Sequence, residues 1–129
     1  MSAQITASTA TPVSDALRAA DAWNQAWNPI AELDAEWAEK FMAMGLHPVA
    51  RGVLDAKTWE FIAIAVDASC THLYAPGVRR HIRKALELGA TREEIMAVLE
   101  AVAVLGIHSV ALGAPILLEE AERHTGASQ

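Results

Sequence analysis

The chain is poor in cysteine, with a single thiol at Cys70 among 129 residues. One thiol cannot close an intrachain disulfide, so the fold does without oxidative stapling and a reducing cytoplasm is the simplest home. A bridge between chains stays open. Positive charge is also scarce: ten Lys and Arg stand against sixteen Asp and Glu. The net charge of -6 repels a phosphate backbone, so nucleic acid is not an expected partner. The opening MSAQITASTATPVSD has neither the basic start nor the continuous apolar centre of a secretory signal, and residues 1–10 read as a flexible arm. No segment alternates apolar and polar residues as a strand would, and no repeat is visible. A glycine-rich phosphate cradle, a nucleophilic serine elbow and a dinucleotide fingerprint are all missing, which excludes the machineries that depend on them.

What is abundant is apolar side chain, at 53% of residues with a mean hydropathy of +0.20. Alanine inflates both figures, yet the excess still points to apolar surface buried between subunits. The longest apolar stretch, residues 95–118, is interrupted by Glu100, Gly106, His108, Gly113 and Pro115. It reads as a poor bilayer span and a good pair of buried helices, so no membrane partner is expected.

The apolar spacing predicts an all-α single domain of about six helices over residues 11–124, with a flexible tail at 125–129. Thr11-Pro12 opens a first helix carrying Val13, Leu17, Ala20 and Trp27 until Asn28-Pro29 stops it. Asp34 caps a second, with Trp37, Phe41 and Met44 on one stripe, which ends at Gly45 before His47-Pro48 forces a turn. Asp55 caps a third, where Trp59, Ile62, Ala63, Val66 and Cys70 line one face while Glu60 and Asp67 share another. Ala75-Pro76-Gly77 punctuates the chain. A short basic helix follows with Val78, Ile82, Ala85 and Leu86, carries His81, and closes at Gly89. Thr91 and Glu94 form a capping box ahead of Ile95, Val98, Leu99, Val102 and Leu105. Gly106 loosens the pattern, and a last helix through Val110, Leu112, Ile116 and Leu117 runs into the polar tail.

Glu60, Asp67, Cys70, His72, Tyr74 and His81 interrupt this pattern where a plain core helix would not, and can share one site. Glu60 is either a solvated first-turn acid that suits the helix dipole or a buried carboxylate that needs a donor. His72 and His81 can exchange protons near neutral pH, Tyr74 can donate to a developing enolate, and Glu60 can orient or charge an imidazole. Arg79 or Arg80 can clamp a substrate carboxylate, the alternative being a solvated basic face. Cys70 reads first as a small packing residue and second as a reactive thiol. Trp27, Trp59 and His108 are candidates for lining a substrate pocket, with core packing the plainer role for tryptophan. Glu60, His72, His81 and His108 supply the ligand types that ferrous iron takes. No His-x-x-x-His or Glu-x-x-His pair sets two of them on one turn, so no metal is expected. His47 and His124 read as structural or solvated.

Lys57-Thr-Trp-Glu60, an apolar helix, the Cys70-Thr-His72 segment and His81-Ile-Arg-Lys-Ala85-Leu-Glu-Leu-Gly89-Ala90-Thr91 together resemble the carboxymuconolactone decarboxylase and alkylhydroperoxidase D superfamily. The resemblance covers roughly residues 23–120 and is strongest over 54–106. It implies a helical domain that assembles as a trimer or hexamer, with active sites at or near subunit contacts. It also implies roles for Glu60 and His81, the positions that match the superfamily's glutamate and histidine. The peroxidase branch would place two cysteines at Tyr74 and Gly77; here neither is cysteine, so Cys70 has no local thiol to resolve a sulfenic acid. The decarboxylase branch needs no cysteine pair, metal or organic cofactor. The expectation is therefore a cofactor-independent enzyme of carboxymuconolactone decarboxylase type, acting by acid/base chemistry on a carboxylated lactone, ring or carbonyl compound. Two alternatives stand beside it: a hydroperoxidase using Cys70, and a non-catalytic helical oligomer that binds a ligand.

Overall fold

In a computed structural model, residues 10–127 are described, and their regular structure is helical throughout. The helices are α1 (Pro12–Ala19), α2 (Asn28–Leu33), α3 (Ala35–Ala50), α4 (Ala56–Asp67), α5 (Ala75–Glu87), α6 (Arg92–Ala103) and α7 (Ile107–Gly126), with 3-10 turns at Gln25–Trp27 and Val104–Gly106. The all-helical expectation is met. By their contacts the described residues form two compact units, one ending at Val53 and the other beginning at Leu54. Residues 1–9, the body of the expected arm, lie outside the described residues.

In the first unit, proline opens a helix where the sequence pattern suggested a stop. Pro29 stands in the first turn of α2, as Pro12 does in α1, because no intrahelical bond is asked of a first-turn N–H. The first helix therefore ends at Ala19, short of Trp27. Asp21 takes a left-handed φ of 54°, and the Arg18 guanidinium lies 4.0 Å over the Trp23 ring. Thr11 makes no side-chain capping bond to the backbone; Glu39, far along the chain on α3, does that work. Its carboxylate accepts from the backbone N–H of Val13 at 2.7 Å, the N–H of Ser14 at 2.9 Å and the buried Ser14 hydroxyl at 2.7 Å. Asp34 caps α3 as expected, accepting from the Trp37 N–H at 2.9 Å. The helix then runs through Gly45 and Pro48 to Ala50. Pro48 lies in its last turn, where it removes a single donor, the N–H that would have bonded the Met44 carbonyl. The expected core stripe is also displaced: Trp37 and Phe41 stack on one another at 5.4 Å but are exposed, while Ala38 and Met42 face inward.

In the second unit the local capping signals hold. Asp55 accepts from the N–H and the hydroxyl of Thr58, each at 2.9 Å. Pro76 again lies in a first turn, so Ala75-Pro76-Gly77 begins α5. Gly89 closes that helix with a φ of 89°, a conformation that costs a glycine little. Thr91 and Glu94 form the capping box, with bonds of 3.0 and 2.9 Å. Lys57, the second residue of α4, reaches the same Glu94 carboxylate at 3.3 Å. Between α4, α5 and α6 lies a small core of Ile64, Ala85, Ala90 and Ile95, with Phe61, Ile82, Val98 and Leu99 packed on it.

The far end departs from expectation. Rather than burying its apolar residues within the chain, α7 exposes them, and every described residue from Ala103 onward is exposed. Among the described residues the run Arg92–Gly126 is long and apolar enough, by length and composition, to cross a bilayer. The helix also persists to Gly126, inside the expected tail. Arg123 pairs with Glu119 at 2.5 Å and Glu120 at 3.0 Å, and the Thr125 hydroxyl donates to the Ala121 carbonyl at 2.7 Å.

Two outcomes test this packing. Ile64 is fully buried, so Ile64→Ala should lower unfolding free energy in urea by about 2–5 kcal/mol; a change within experimental error would contradict the core assignment. Desolvation works to raise Glu39, but hydrogen bonds from the Ser14 hydroxyl, the Ser14 N–H and the Val13 N–H, with the Arg18 charge, hold it below the usual glutamate range. Its stabilising contribution is complete above the unfolded-state value and is lost as pH falls through the lower folded value. Thermal unfolding across that acidic window should fall more steeply in the wild type than in Glu39→Gln. Equal slopes would remove Glu39 as the cap of α1.

Candidate active site

α4 and α5 form an antiparallel hairpin, because the loop after Asp67 is short and folds back on itself. The Tyr74 N–H donates to the Asp67 carbonyl at 2.7 Å, and the N–H groups of His72 and Leu73 both donate to the Ser69 carbonyl at 2.9 Å. Leu73 is held at a φ of 45°, a strained conformation for a bulky residue, with His72 and Tyr74 on either side. In an antiparallel hairpin the residue near the end of α4 meets the start of α5, and the residue near the start of α4 meets its middle. Asp67 therefore lies against Gly77, and Glu60 against His81.

Glu60 Oε2 and His81 Nδ1 are 2.7 Å apart, a charge-assisted hydrogen-bond length, with side chains only 19% and 23% exposed. This resolves the two readings of Glu60: it is the half-buried carboxylate with a donor. Arg80 Nη2 lies 3.2 Å from His81 Nε2. A guanidinium can only donate, so Nε2 accepts and the neutral imidazole carries its proton on Nδ1, facing Glu60. Asp67 Oδ2 is 3.7 Å from the same Nε2, and Asp67 Oδ1 is 3.3 Å from Nε2 of His72. The Tyr74 ring lies 5.5 Å from the His72 ring. Glu60, Asp67, His72, Tyr74, Arg80 and His81 are thus brought into one polar cluster.

The other candidates lie elsewhere. Cys70 is an exposed free thiol in the turn beyond α4, not a packed residue, because the helix ends at Asp67 and takes no further residue into the core. Arg79, next to Arg80 but turned about a third of a helical turn away, lines an open apolar hollow of about 510 Å³ with Ala68, Leu73, Ala75, Val78 and Ile82. A second hollow of about 610 Å³ lies over Phe61, Ile62, Val66 and Val98. Neither is lined by Glu60, His72 or His81. Trp59 is half-buried on α4, and among the described residues its buried indole N–H has no acceptor. Trp27 belongs to the first unit, where it packs edge-on against Trp23 at 5.3 Å. His108 is exposed on α7 and is not among the partners of the pair. Among the described residues no group of three or more His, Cys, Asp or Glu is arranged to hold a metal ion.

Asp67 is the residue that sequence reasoning left without a role. Its signal was present: it shares a helix face with Glu60, and Gly77 precedes His81 by one helical turn. What could not be read was that the missing side chain at Gly77 makes room for the Asp67 carboxylate.

The sequence from residue 35 to 115 matches the model of the carboxymuconolactone decarboxylase family. No functionally curated protein matches the chain. A crystal structure from Burkholderia xenovorans LB400, provisionally named a gamma-carboxymuconolactone decarboxylase subunit, is 43% identical and superposes with a TM-score of 0.73. The match covers 88% of this chain but 46% of that one, so this chain spans about half the length of its structural relative. With a family match over most of its length and an all-helical fold in common with that relative, the chain belongs to the carboxymuconolactone decarboxylase family.

Proposed function

We propose that the protein is a cofactor-independent enzyme that decarboxylates, or performs related lyase or isomerase chemistry on, a carboxylated lactone, ring or carbonyl compound. The observation that carries this reading is the 2.7 Å contact between Glu60 and His81, half-buried and with the tautomer set by Arg80. Loss of carbon dioxide from a carbon conjugated to a carbonyl leaves an electron pair in an enolate, which must be protonated to complete the reaction. His81, once it carries a second proton on Nε2 and is an imidazolium backed by Glu60, is the acid that returns that proton, and Tyr74 is a donor to the enolate oxygen. Arg79, which sits in an otherwise apolar hollow, and Arg80 are the candidate clamps for a substrate carboxylate. Trp59 offers its unsatisfied indole N–H to a substrate or a neighbouring chain. Thiol peroxidase chemistry is disfavoured because a sulfenic acid formed on Cys70 would meet no second cysteine on the chain.

The reading includes a cytoplasmic homo-oligomer, trimeric or hexameric. It is supported by the exposed apolar residues of α7, among them Val110, Leu112, Ile116 and Leu117, a surface that water would disfavour and a second copy would cover. Light scattering on the purified protein should give a multiple of the chain mass; a stable monomer at micromolar concentration, or recovery only with membranes, would reject this part.

The chemistry is tested by assaying a panel of carboxylated lactones for carbon dioxide release. His81→Ala should lose ~10²–10⁴-fold in rate, the usual worth of a positioned acid or base, while Cys70→Ser keeps full activity. Retained carbon dioxide release in His81→Ala would reject His81 as the acid, and loss in Cys70→Ser would place the thiol in the reaction.

A further inference from the structure

The Asp67 carboxylate is only 14% exposed, less than Glu60 or either histidine, yet it sits between two imidazoles. Its two oxygens are divided between them: Oδ1 lies 3.3 Å from His72 Nε2 and Oδ2 lies 3.7 Å from His81 Nε2. We propose that Asp67 is a positioning residue that links His81 to the exposed His72, forming a proton relay from the half-buried pair to solvent, and that Gly77 is required because its absent side chain seats that carboxylate.

Consider the state of His81 after it takes up a second proton. Glu60 already occupies Nδ1, so the new proton is on Nε2. Arg80, a donor only, cannot receive it and is turned from partner to repellent; Asp67 Oδ2 is the carboxylate oxygen facing that nitrogen. Asp67 thus stabilises the imidazolium that Arg80 disfavours, and the balance between them sets which way the ring proton moves. His72, 51% exposed and facing the other oxygen of Asp67, is the member of the chain that water can reach. The charged and titratable groups facing His81 are Glu60 and Asp67 from α4 and Arg80 from its own helix; those facing His72 are Asp67 and the Tyr74 ring.

Gly77 is buried, and a methyl group built on it would overlap Asp67 Oδ2 and lie 2.7 Å from both Asp67 Cγ and Tyr74 Cδ1. Such separations are well inside van der Waals contact, so any side chain there would displace the carboxylate, the ring or both. The loop supplies the rest of the seat. The Tyr74 N–H bond to the Asp67 carbonyl, at 2.7 Å, pins the backbone of residue 67.

The inference deepens the acid–base reading and rests on it only for the purpose the relay serves; its own test needs no substrate. In a pH titration of the full-length protein followed by imidazole nitrogen NMR, two linked histidines perturb one another, so each titration curve carries an inflection at the other's midpoint. The wild type should show these paired inflections for His72 and His81. Asp67→Asn, close in shape, should remove them, and Gly77→Ala should remove them too while leaving every charged group in the chain. Backbone amide spectra establish that each variant is folded, and Asp67→Asn carries the test if Gly77→Ala does not fold. Independent curves in the wild type, or paired inflections that survive Asp67→Asn, would overturn the relay; inflections that survive in folded Gly77→Ala would overturn the role of Gly77. Should the relay stand while His81→Ala keeps carbon dioxide release, the acid–base function fails on its own and the linkage does not.

Discussion

A carboxylate and an imidazole facing one another across an antiparallel helix hairpin are the constraint on which the second unit turns. A half-buried Glu60 without His81 would be a charge without a donor, which an apolar helix does not tolerate cheaply. The α4–α5 register must therefore place the start of one helix against the middle of the other. Given that register, Asp67 falls beside Gly77, the short loop brings His72 and Tyr74 back over the end of α4, and Ile64 and Ala85 meet in the core. The polar cluster and the apolar core are two faces of one packing solution.

Neither of the positions that the resemblance assigns to the peroxidase branch's cysteines, Tyr74 and Gly77, carries a thiol. Gly77 leaves a gap on α5, and the gap is filled by the Asp67 carboxylate from the preceding helix. Cys70, the remaining thiol, lies outside in an exposed turn.

Much of this was legible in the sequence wherever the determinant is local. Asp34, Asp55 and the Thr91–Glu94 box each act within a single turn, and each is found where its spacing places it. The pairing of Glu60 with His81 was legible because a carboxylate in an apolar helix demands a partner and the next helix carries one. What could not be read depends on residues far apart in the chain. Glu39 caps α1 from another helix, a role that no spacing rule reveals. Pro29 and Pro76 look like breaks until the first turns they begin are known. The stripe of Trp37, Phe41 and Met44 has helical spacing, yet a period identifies a face without saying what covers it; the same holds for α7.

The central claim, that the Glu60–His81 pair is where a carboxylated small molecule is held for proton transfer, is tested most directly by a crystal structure of the protein with a bound carboxylated lactone. The account predicts the lactone ring within hydrogen-bonding reach of the His81 imidazole, its carboxylate on Arg79 or Arg80, and the Glu60–His81 contact intact. A lactone bound away from His81, with the pair untouched or broken, would contradict it.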